Sequence, residues 1–211
     1  MLWKTIAIAL ALGYLFGSIP VGYIFGRLWR VDVRRVGSGR TGGTNVLRAA
    51  GLLPAGLTVL FDALKAMIAV GLARFLFPGE LGATLAGIGA VAGHNWPIFL
   101  GFRGGAGGIT TLTVLITLAP LPGAAVVVAS LGALVIWRYA SAGTLAIATL
   151  TLVATVIDAL LGGPPEHILY GVAAGAMVTW ALRPNIARLR AGTERKIGLT
   201  RNDSPETSEA R

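Results

Sequence analysis

Seven stretches of the chain are almost free of charge, and shorter runs rich in glycine, arginine and small polar residues separate them. They fall at about 3–26, 52–77, 81–100, 109–120, 122–138, 140–161 and 167–183. Apolar runs of this kind read as helices that cross ~30 Å of hydrocarbon. The stretch 109–138 divides into a hairpin of two short spans, because Pro120-Leu121-Pro122 removes backbone donors and favours a turn. The apolar start runs on from Trp3 to Gly26 without a clear small-residue cleavage site, so it reads as the first span rather than a signal peptide. The pattern predicts an all-α integral membrane protein with seven transmembrane helices, one polytopic domain over 1–198. After about 199 the residues turn polar, and 199–211 is expected to be a disordered tail.

Charge orients this array. Arg27, Arg30, Arg34, Arg35, Arg40 and Arg48 crowd one loop, and Arg183, Arg188, Arg190, Arg195, Lys196, Arg201 and Arg211 follow the last span. Lys and Arg collect on the cytoplasmic side of membrane proteins, so both clusters belong inside, with an even number of crossings between them. Seven spans satisfy this and put Arg103 and Arg138 inside as well. Glu80, Asp158 and Glu166 then fall near the outer side. The expected N-terminus is outside and the C-terminus cytoplasmic.

Composition agrees. Hydrophobic residues are 55% of the chain and charged ones 13%, with mean hydropathy +0.74, too little charge to cover a soluble domain. The net charge of +9 would suggest nucleic acid in a soluble protein; here its placement points to the membrane face instead. The absence of cysteine excludes disulfides, thiol nucleophiles and Cys-bound metals. No cofactor, metal or nucleic-acid partner is expected.

Three segments carry candidate chemistry, all on the predicted cytoplasmic face. In Gly37-Ser-Gly-Arg-Thr-Gly-Gly-Thr-Asn45 with Arg48, close-set glycines let backbone N–H groups turn toward one anion. Ser38, Thr41, Thr44 and Asn45 add donors, while Arg40 and Arg48 match phosphate oxygens. A flexible basic loop touching lipid headgroups is the plainer alternative. Gly93-His-Asn-Trp-Pro97 leads to Phe102-Arg-Gly-Gly-Ala-Gly-Gly108, a phosphate cradle at a helix N-terminus, although glycine also serves helix packing in membranes. His94 reads as a general base or as a helix-end residue bonded to a carbonyl. The run 183–198 holds Asn185, Arg188, Arg190, Glu194 and Lys196; it is either part of the site or an interfacial basic helix on anionic lipid. Asp62 and Lys65, three apart in the second span, read as an internal ion pair.

Taken in order, these residues resemble the bacterial acyl-phosphate:glycerol-3-phosphate acyltransferase family. The likeness runs through Gly17-Ser-Ile-Pro20 with Tyr23 and Gly26, Gly37-Ser-Gly39, Thr44-Asn-Val-Leu-Arg48, and Asp62 with Lys65. It continues through Gly93-His-Asn-Trp-Pro97, Gly104-Gly105 with Gly107, Asn185-Ile with Arg188-Leu, Gly192-Thr-Glu194 and Lys196-Ile-Gly198. The resemblance implies a multi-pass enzyme of the bacterial cytoplasmic membrane that moves a fatty acyl group from acyl phosphate to the 1-hydroxyl of glycerol 3-phosphate. Lysophosphatidate and phosphate would be the products. It implies active-site roles for Ser38 and Arg48, catalysis or substrate orientation by Asn185, and phosphate binding by Gly104, Gly105 and Gly107; the residue types themselves add His94 as a catalytic candidate and Arg40, Thr44, Asn45 and Arg188 as candidates for substrate or phosphate binding. Glu194, Asp62 and Lys65 would be structural. Neither histidine has Asp five residues later, so the His-x4-Asp signature of the other large glycerophosphate acyltransferase class is missing. Where the family usually has Lys in the second loop this chain has Ala106, and where it has His before the Asn this chain has Leu182. The first loop has Arg40 and Gly43 in place of Asn and Ala. A homologue acting on another phosphorylated acceptor or donor, and a small transporter or channel, are the alternatives.

Overall fold

The computed structural model describes residues 2–197; the tail expected at 199–211 lies outside the described residues. Every regular element among them is helical. The first expected span is two helices, α1 (Leu2–Ser18) and α2 (Val21–Leu28), because Pro20 has no N–H with which to continue the ladder. The loop expected over 27–48 is partly helical too, with α3 spanning Gly43–Ala50 and burying Asn45 and Val46. There follow α4 (Leu52–Leu76), α5 (Glu80–Asn95), α6 (Gly108–Leu118), α7 (Pro120–Trp137), α8 (Ala140–Leu160), α9 (Glu166–Ala181) and the short α10 (Arg183–Arg190). The break before Pro120 falls where the two prolines predict it. α5 stops short of the expected boundary at 100, since the residue before Pro97 is forced out of helical geometry: Trp96 has φ −131° and ψ 65°.

Four helical stretches are long and apolar enough to cross a membrane: Leu2–Leu28 with its break, Leu52–Leu76, Pro120–Trp137 and Ala140–Leu160. The chain is a multi-pass helical membrane protein. α5 and α9 have 16 residues each and α6 has 11, so α6 measures only about 16 Å. α5 lies in the middle of the bundle, and small residues bring it there. Gly13 and Gly17 of α1 sit directly on the backbone of Ala86 and Ala90, and Gly89 and Gly93 return the contact against Leu10, Tyr14 and Ser18. In lipid, where apolar surface gains little from leaving one apolar solvent for another, such close backbone approach is a main source of helix association.

A buried polar cluster pins the break in the first span. Lys65 Nζ lies 2.7 Å from Asp62 Oδ1 and donates to the Ile19 carbonyl at 2.8 Å. His94 Nδ1 lies 3.3 Å from Lys65 Nζ and 3.4 Å from Asp62 Oδ1. The pair expected from the Asp62/Lys65 spacing therefore ties α1, α4 and α5 together.

The two ends of the bundle differ. At one, Arg74 bonds Glu80 at 2.7 Å and the Thr117 carbonyl at 3.0 Å. His167 lies there between Asp158 (3.2 Å) and Glu80 (3.5 Å). The termini of α4, α5, α6, α8 and α9 meet around these side chains. At the other end gather residues 33–48, 94–108, 138–144 and 181–197, with most of the arginines.

Removing one member of a buried ion pair strands the other charge, at a cost of about 3–5 kcal/mol. Lys65→Met is expected to lower the thermal unfolding temperature in detergent more than Asp62→Asn/Lys65→Met together does. A double variant no more stable than the single one would contradict the pairing.

Candidate active site

The first glycine-rich segment is shaped by Asn45, at the start of α3. Its Nδ2 donates to the carbonyls of Val33 and Arg40, both at 2.8 Å, and its Oδ1 accepts the Ser38 N–H at 3.0 Å. Both amide donors are thereby committed to the loop's own backbone. Asn45 was expected to bind substrate; the structure gives it the work of folding 33–45 into a tight arch. Gly37 and Gly39 take positive φ in that arch (60° and 70°), which only glycine adopts without strain. Ser38 is left at the surface of the arch and Arg40 beneath it. The Arg40 guanidinium donates to the carbonyl of Ala181 at the end of α9.

The second segment is moulded on residues 94–95. The Gly104 N–H donates to the Asn95 carbonyl (3.2 Å) and the Gly105 N–H to the His94 carbonyl (3.0 Å). A Cβ on Gly105 would run into the His94 ring, and one on Gly107 would lie 2.7 Å from Asn95 Oδ1. Gly107, at φ 82°, then opens α6. His94 is thus behind the glycine loop, buried, with Nδ1 turned to Asp62 and Lys65. It is not among the residues that line the cavities described below. The expected general base is placed as a support for the loop.

The third segment is organised by Glu194. Its Oε1 accepts from Ser141 Oγ (2.9 Å) and Asn185 Nδ2 (2.7 Å), and its Oε2 accepts from Arg188 Nε (2.7 Å). A carboxylate can only accept, so the Asn185 amide must present its NH2 to Glu194. Asn185 Oδ1 is therefore the free atom, buried and without a partner among the described residues. Burial pushes the Glu194 carboxyl up, but the bonds from Asn185, Arg188 and Ser141 outweigh it and hold the pKa below its ordinary value. Arg188, a candidate for substrate binding, gives its Nε to Glu194 and does not line the cavities described below. The strap ends with the Ile197 N–H bonded to the Arg138 carbonyl, 2.6 Å away.

These segments enclose connected spaces. A cavity of about 110 Å³ is lined by Ser38, Arg40, Thr44, Asn45 and Arg48, by Ala140, Ser141 and Thr144 from the start of α8, and by Asn185 and Glu194. Ala106 and Leu182 line it too, as does Gly43 beside Arg40, so all four positions that depart from the resembled pattern border one space. A second cavity, about 280 Å³, shares Ser38 and Arg40 and is completed by Asn95, Arg103, Gly104, Gly105 and Ala181. A third, about 190 Å³ and largely apolar, shares Thr44, Ala140 and Thr144 with the first; Ile109, Leu112, Leu134 and Ile147 line it, with Ile197 as part of its wall. Burial lowers the pKa of Arg40, with Arg188 adding to the effect, and burial likewise lowers that of Arg48. Both guanidiniums remain charged. The result is two chambers with polar walls that share Ser38 and Arg40, and an apolar one that shares Thr44, Ala140 and Thr144 with the first.

Asn95, Arg103, Ser141 and Thr144 did not stand out in the sequence. Arg103 and Asn95 lay inside a segment already singled out. The start of α8 carries no glycine run and no charge beyond Arg138, so nothing in its composition marked Ser141 and Thr144.

The chain matches the family model described as glycerol-3-phosphate acyltransferase over residues 7–192. A glycerol-3-phosphate acyltransferase of Halalkalibacterium halodurans is 43% identical over 189 residues, covering 88% of this chain and 92% of the relative. One of Rubrobacter xylanophilus is 44% identical over 194 residues, covering 89% and 92%. Among solved structures, PlsY (YgiH), an integral membrane glycerol 3-phosphate acyltransferase, superposes in its glycerol 3-phosphate form with TM-score 0.81 at 34% identity. That alignment covers 92% of this chain and 96% of the other. Its lysophosphatidic acid form gives TM-score 0.80 at 33% identity, covering 92% and 95%.

Because the folded-state pKa of Glu194 is depressed, its hold on the strap is complete above the ordinary carboxyl range near ~4.3 and is lost as pH falls through the depressed value. Amide hydrogen exchange of residues 191–197 is expected to quicken at that acid step in the natural chain. In Glu194→Gln exchange should be fast already at neutral pH, with no step. A variant as protected as the natural chain would show that Glu194 does not hold the strap.

Proposed function

The chain belongs to the glycerol-3-phosphate acyltransferase family, and we propose that its two polar chambers bring acyl phosphate and glycerol 3-phosphate together at the membrane surface. It is an acyltransferase of phospholipid synthesis, and the acceptor is glycerol 3-phosphate. The donor is acyl phosphate, whose head lies against Gly104–Gly107 at the N-terminus of α6. There the N–H groups of Ala106 and Gly107, which the His94 and Asn95 carbonyls do not take, and the dipole of α6 favour an anion. Its chain passes Ile109 and Leu112, on the first turns of the same helix, into the apolar cavity. Glycerol 3-phosphate lies in the cavity of Arg40, Arg48 and Asn185. The observation that carries this arrangement is the junction at Ser38 and Arg40, where the chamber holding the glycine loop meets the chamber holding the free Asn185 oxygen.

The chemistry then needs little more than placement. Asn185 Oδ1 accepts a hydrogen bond from the 1-hydroxyl and points its oxygen at the acyl carbon. The hydroxyl oxygen attacks that carbon, the bond from carbon to the phosphate oxygen breaks, and phosphate leaves with the electron pair. Glu194 has its oxygens committed to three donors, so the departing phosphate, which carries away the electron pair, is the better base and takes the hydroxyl proton. A mixed anhydride already has a good leaving group, and orientation with charge stabilisation supplies the acceleration.

Arg40 compensates for the two departures. It reaches the α9 terminus beside Leu182 and lines both chambers, so one guanidinium supplies charge where Ala106 and Leu182 supply none. Its contact with phosphate is worth about 1.5–3 kcal/mol. Arg40→Ala should therefore raise the KM for glycerol 3-phosphate about ten- to a hundredfold, while Arg35→Ala leaves it nearly unchanged. Equal effects would remove Arg40 from the site. The reaction itself is tested by incubating purified protein with both substrates and measuring lysophosphatidate and released phosphate, with acyl-CoA and acyl carrier protein donors in parallel. Turnover with a thioester donor but not acyl phosphate would overturn the donor assignment.

All seven expected spans cross the membrane in this proposal, with α1 and α2 as one span and the short α5, α6 and α9 shielded by longer neighbours. The clustering of Arg74, Glu80, Asp158 and His167 at one end and of the arginines at the other supports it. The arginine end, with the active site, faces the cytoplasm. The chain has no cysteine, so single introduced cysteines report without background. A membrane-impermeant maleimide should label Leu121→Cys and Leu161→Cys on intact cells. Trp29→Cys and Ala191→Cys should react only after the cells are opened; the reverse pattern would invert the orientation.

A further inference from the structure

Arg195 is the one position between Gly192 and Gly198 that lies outside the likeness to the family, and the fold gives it a definite place. The strap is fixed on both sides of it. Glu194 is tied to Ser141, Asn185 and Arg188, and two residues beyond Arg195 the Ile197 N–H bonds the Arg138 carbonyl. From between these anchors the exposed Arg195 side chain reaches the first glycine arch. A Cβ on Gly37 would lie 3.7 Å from Arg195 Nη1, an ordinary packing distance. Gly37 adjoins Ser38, which lines both cavities with polar walls. Arg48 lines the first of them. Burial is the main cause that lowers the Arg48 pKa, and the charge of Arg195 adds to it. Among the described residues Glu194 forms its ion pair with Arg188, and no carboxylate pairs with Arg40, Arg48 or Arg195. Guanidiniums gathered in this way without a carboxylate favour an anion between them.

We propose that Arg195 is a specificity-determining residue for the acceptor: with Arg48 it forms a two-arginine clamp beside Ser38 for the phosphate of glycerol 3-phosphate. The clamp rests on the acceptor assignment above. A phosphate monoester carries about −1.5 to −2 charge at neutral pH and three strong acceptor oxygens, so two guanidiniums can each take a pair of them in fork geometry. Arg48 approaches from α3, within the cavity lining, and Arg195 from the strap at its rim. The strap then does more than close a wall. By pinning Glu194 it carries a cation to the arch from a part of the chain that a local reading of the glycine segments does not include. The different burial of the two arginines separates their effects. A rim charge is screened by salt more than a buried one, and it governs capture of the ligand rather than the breaking of bonds.

The test measures steady-state kinetics in neutral detergent for the natural chain, Arg195→Ala, Arg195→Lys and Arg190→Ala, the last removing the same charge from an exposed position on α10. Arg195→Ala should raise the KM for glycerol 3-phosphate about tenfold, the low end for a hydrogen bond to a charged group. Its kcat and its KM for acyl phosphate should stay as they are, and Arg195→Lys should recover part of the loss. The rise of that KM between low salt and about 0.3 M should be shallower in Arg195→Ala than in the natural chain or Arg190→Ala. Arg195→Gln takes the place of Arg195→Ala should the latter not fold. An Arg195→Ala variant that matches Arg190→Ala, or that raises the KM for acyl phosphate instead, overturns the clamp. So does a fall in kcat accompanied by faster amide exchange over 191–197, which would give Arg195 a role in folding the strap alone. An effect seen only in vesicles containing anionic lipid would assign Arg195 to headgroup phosphates and overturn it as well. A natural chain that does not turn over glycerol 3-phosphate defeats the acceptor assignment itself.

Discussion

A single carboxylate holds the reaction chamber together. Glu194 can only accept hydrogen bonds, and it draws one donor each from α8, through Ser141, and from two positions on α10, Asn185 and Arg188. Three consequences follow from that one-sidedness. The strap 191–197 is folded over the bundle, so that Ile197 becomes part of the wall of an apolar cavity. α10 is docked against the start of α8, which brings the fourth lining segment into place. The amide of Asn185 is turned so that its oxygen is the atom left for a substrate. A glutamate that looks out of place in a run of arginines is what gives that run a shape.

Behind the pocket a second polar network sets the position of the glycine loop. The Asn95 and His94 carbonyls accept the N–H groups of Gly104 and Gly105, and the His94 and Asn95 side chains pack against Gly105 and Gly107. Asp62 and Lys65 hold His94 from the far side, and Lys65 reaches on to the broken first span. Ionisable groups inside a membrane protein are costly and rare; here they join the one irregular point of α1 and α2 to the loop that faces solvent. The Gly-rich arch and the Gly-rich loop meet at Ser38 and Arg40, and in the proposed function Arg40 stands in for the cation missing at position 106.

Much of this was legible from residue types. Runs of apolar residues located α4 to α9 and the joint stretch of α1 and α2, though not α3 or α10; Pro120 located the α6–α7 break, and the spacing of Asp62 and Lys65 announced the ion pair. Segments 37–48, 93–108 and 183–198 did converge on connected cavities. Other features depended on contacts that no local pattern encodes. Pro20 was read as part of a continuous span, because a proline inside an apolar run signals a kink without saying how large. Asn45 and Arg188 looked like ligands by type and turned out to be engaged with Arg40, Val33 and Glu194. Ser141 and Thr144 were hidden in an ordinary apolar helix and matter only because Glu194 comes to them.

Two arginines and a free amide oxygen that recognise a phosphorylated acceptor are the centre of this account, and calorimetric titration of the purified protein probes them without turnover. Glycerol 3-phosphate should bind saturably, glycerol should not, and Arg40→Ala or Arg48→Ala should weaken the binding in protein that still unfolds cooperatively. Equal heats from glycerol and glycerol 3-phosphate, or full binding after loss of both arginines, would contradict the account at its root.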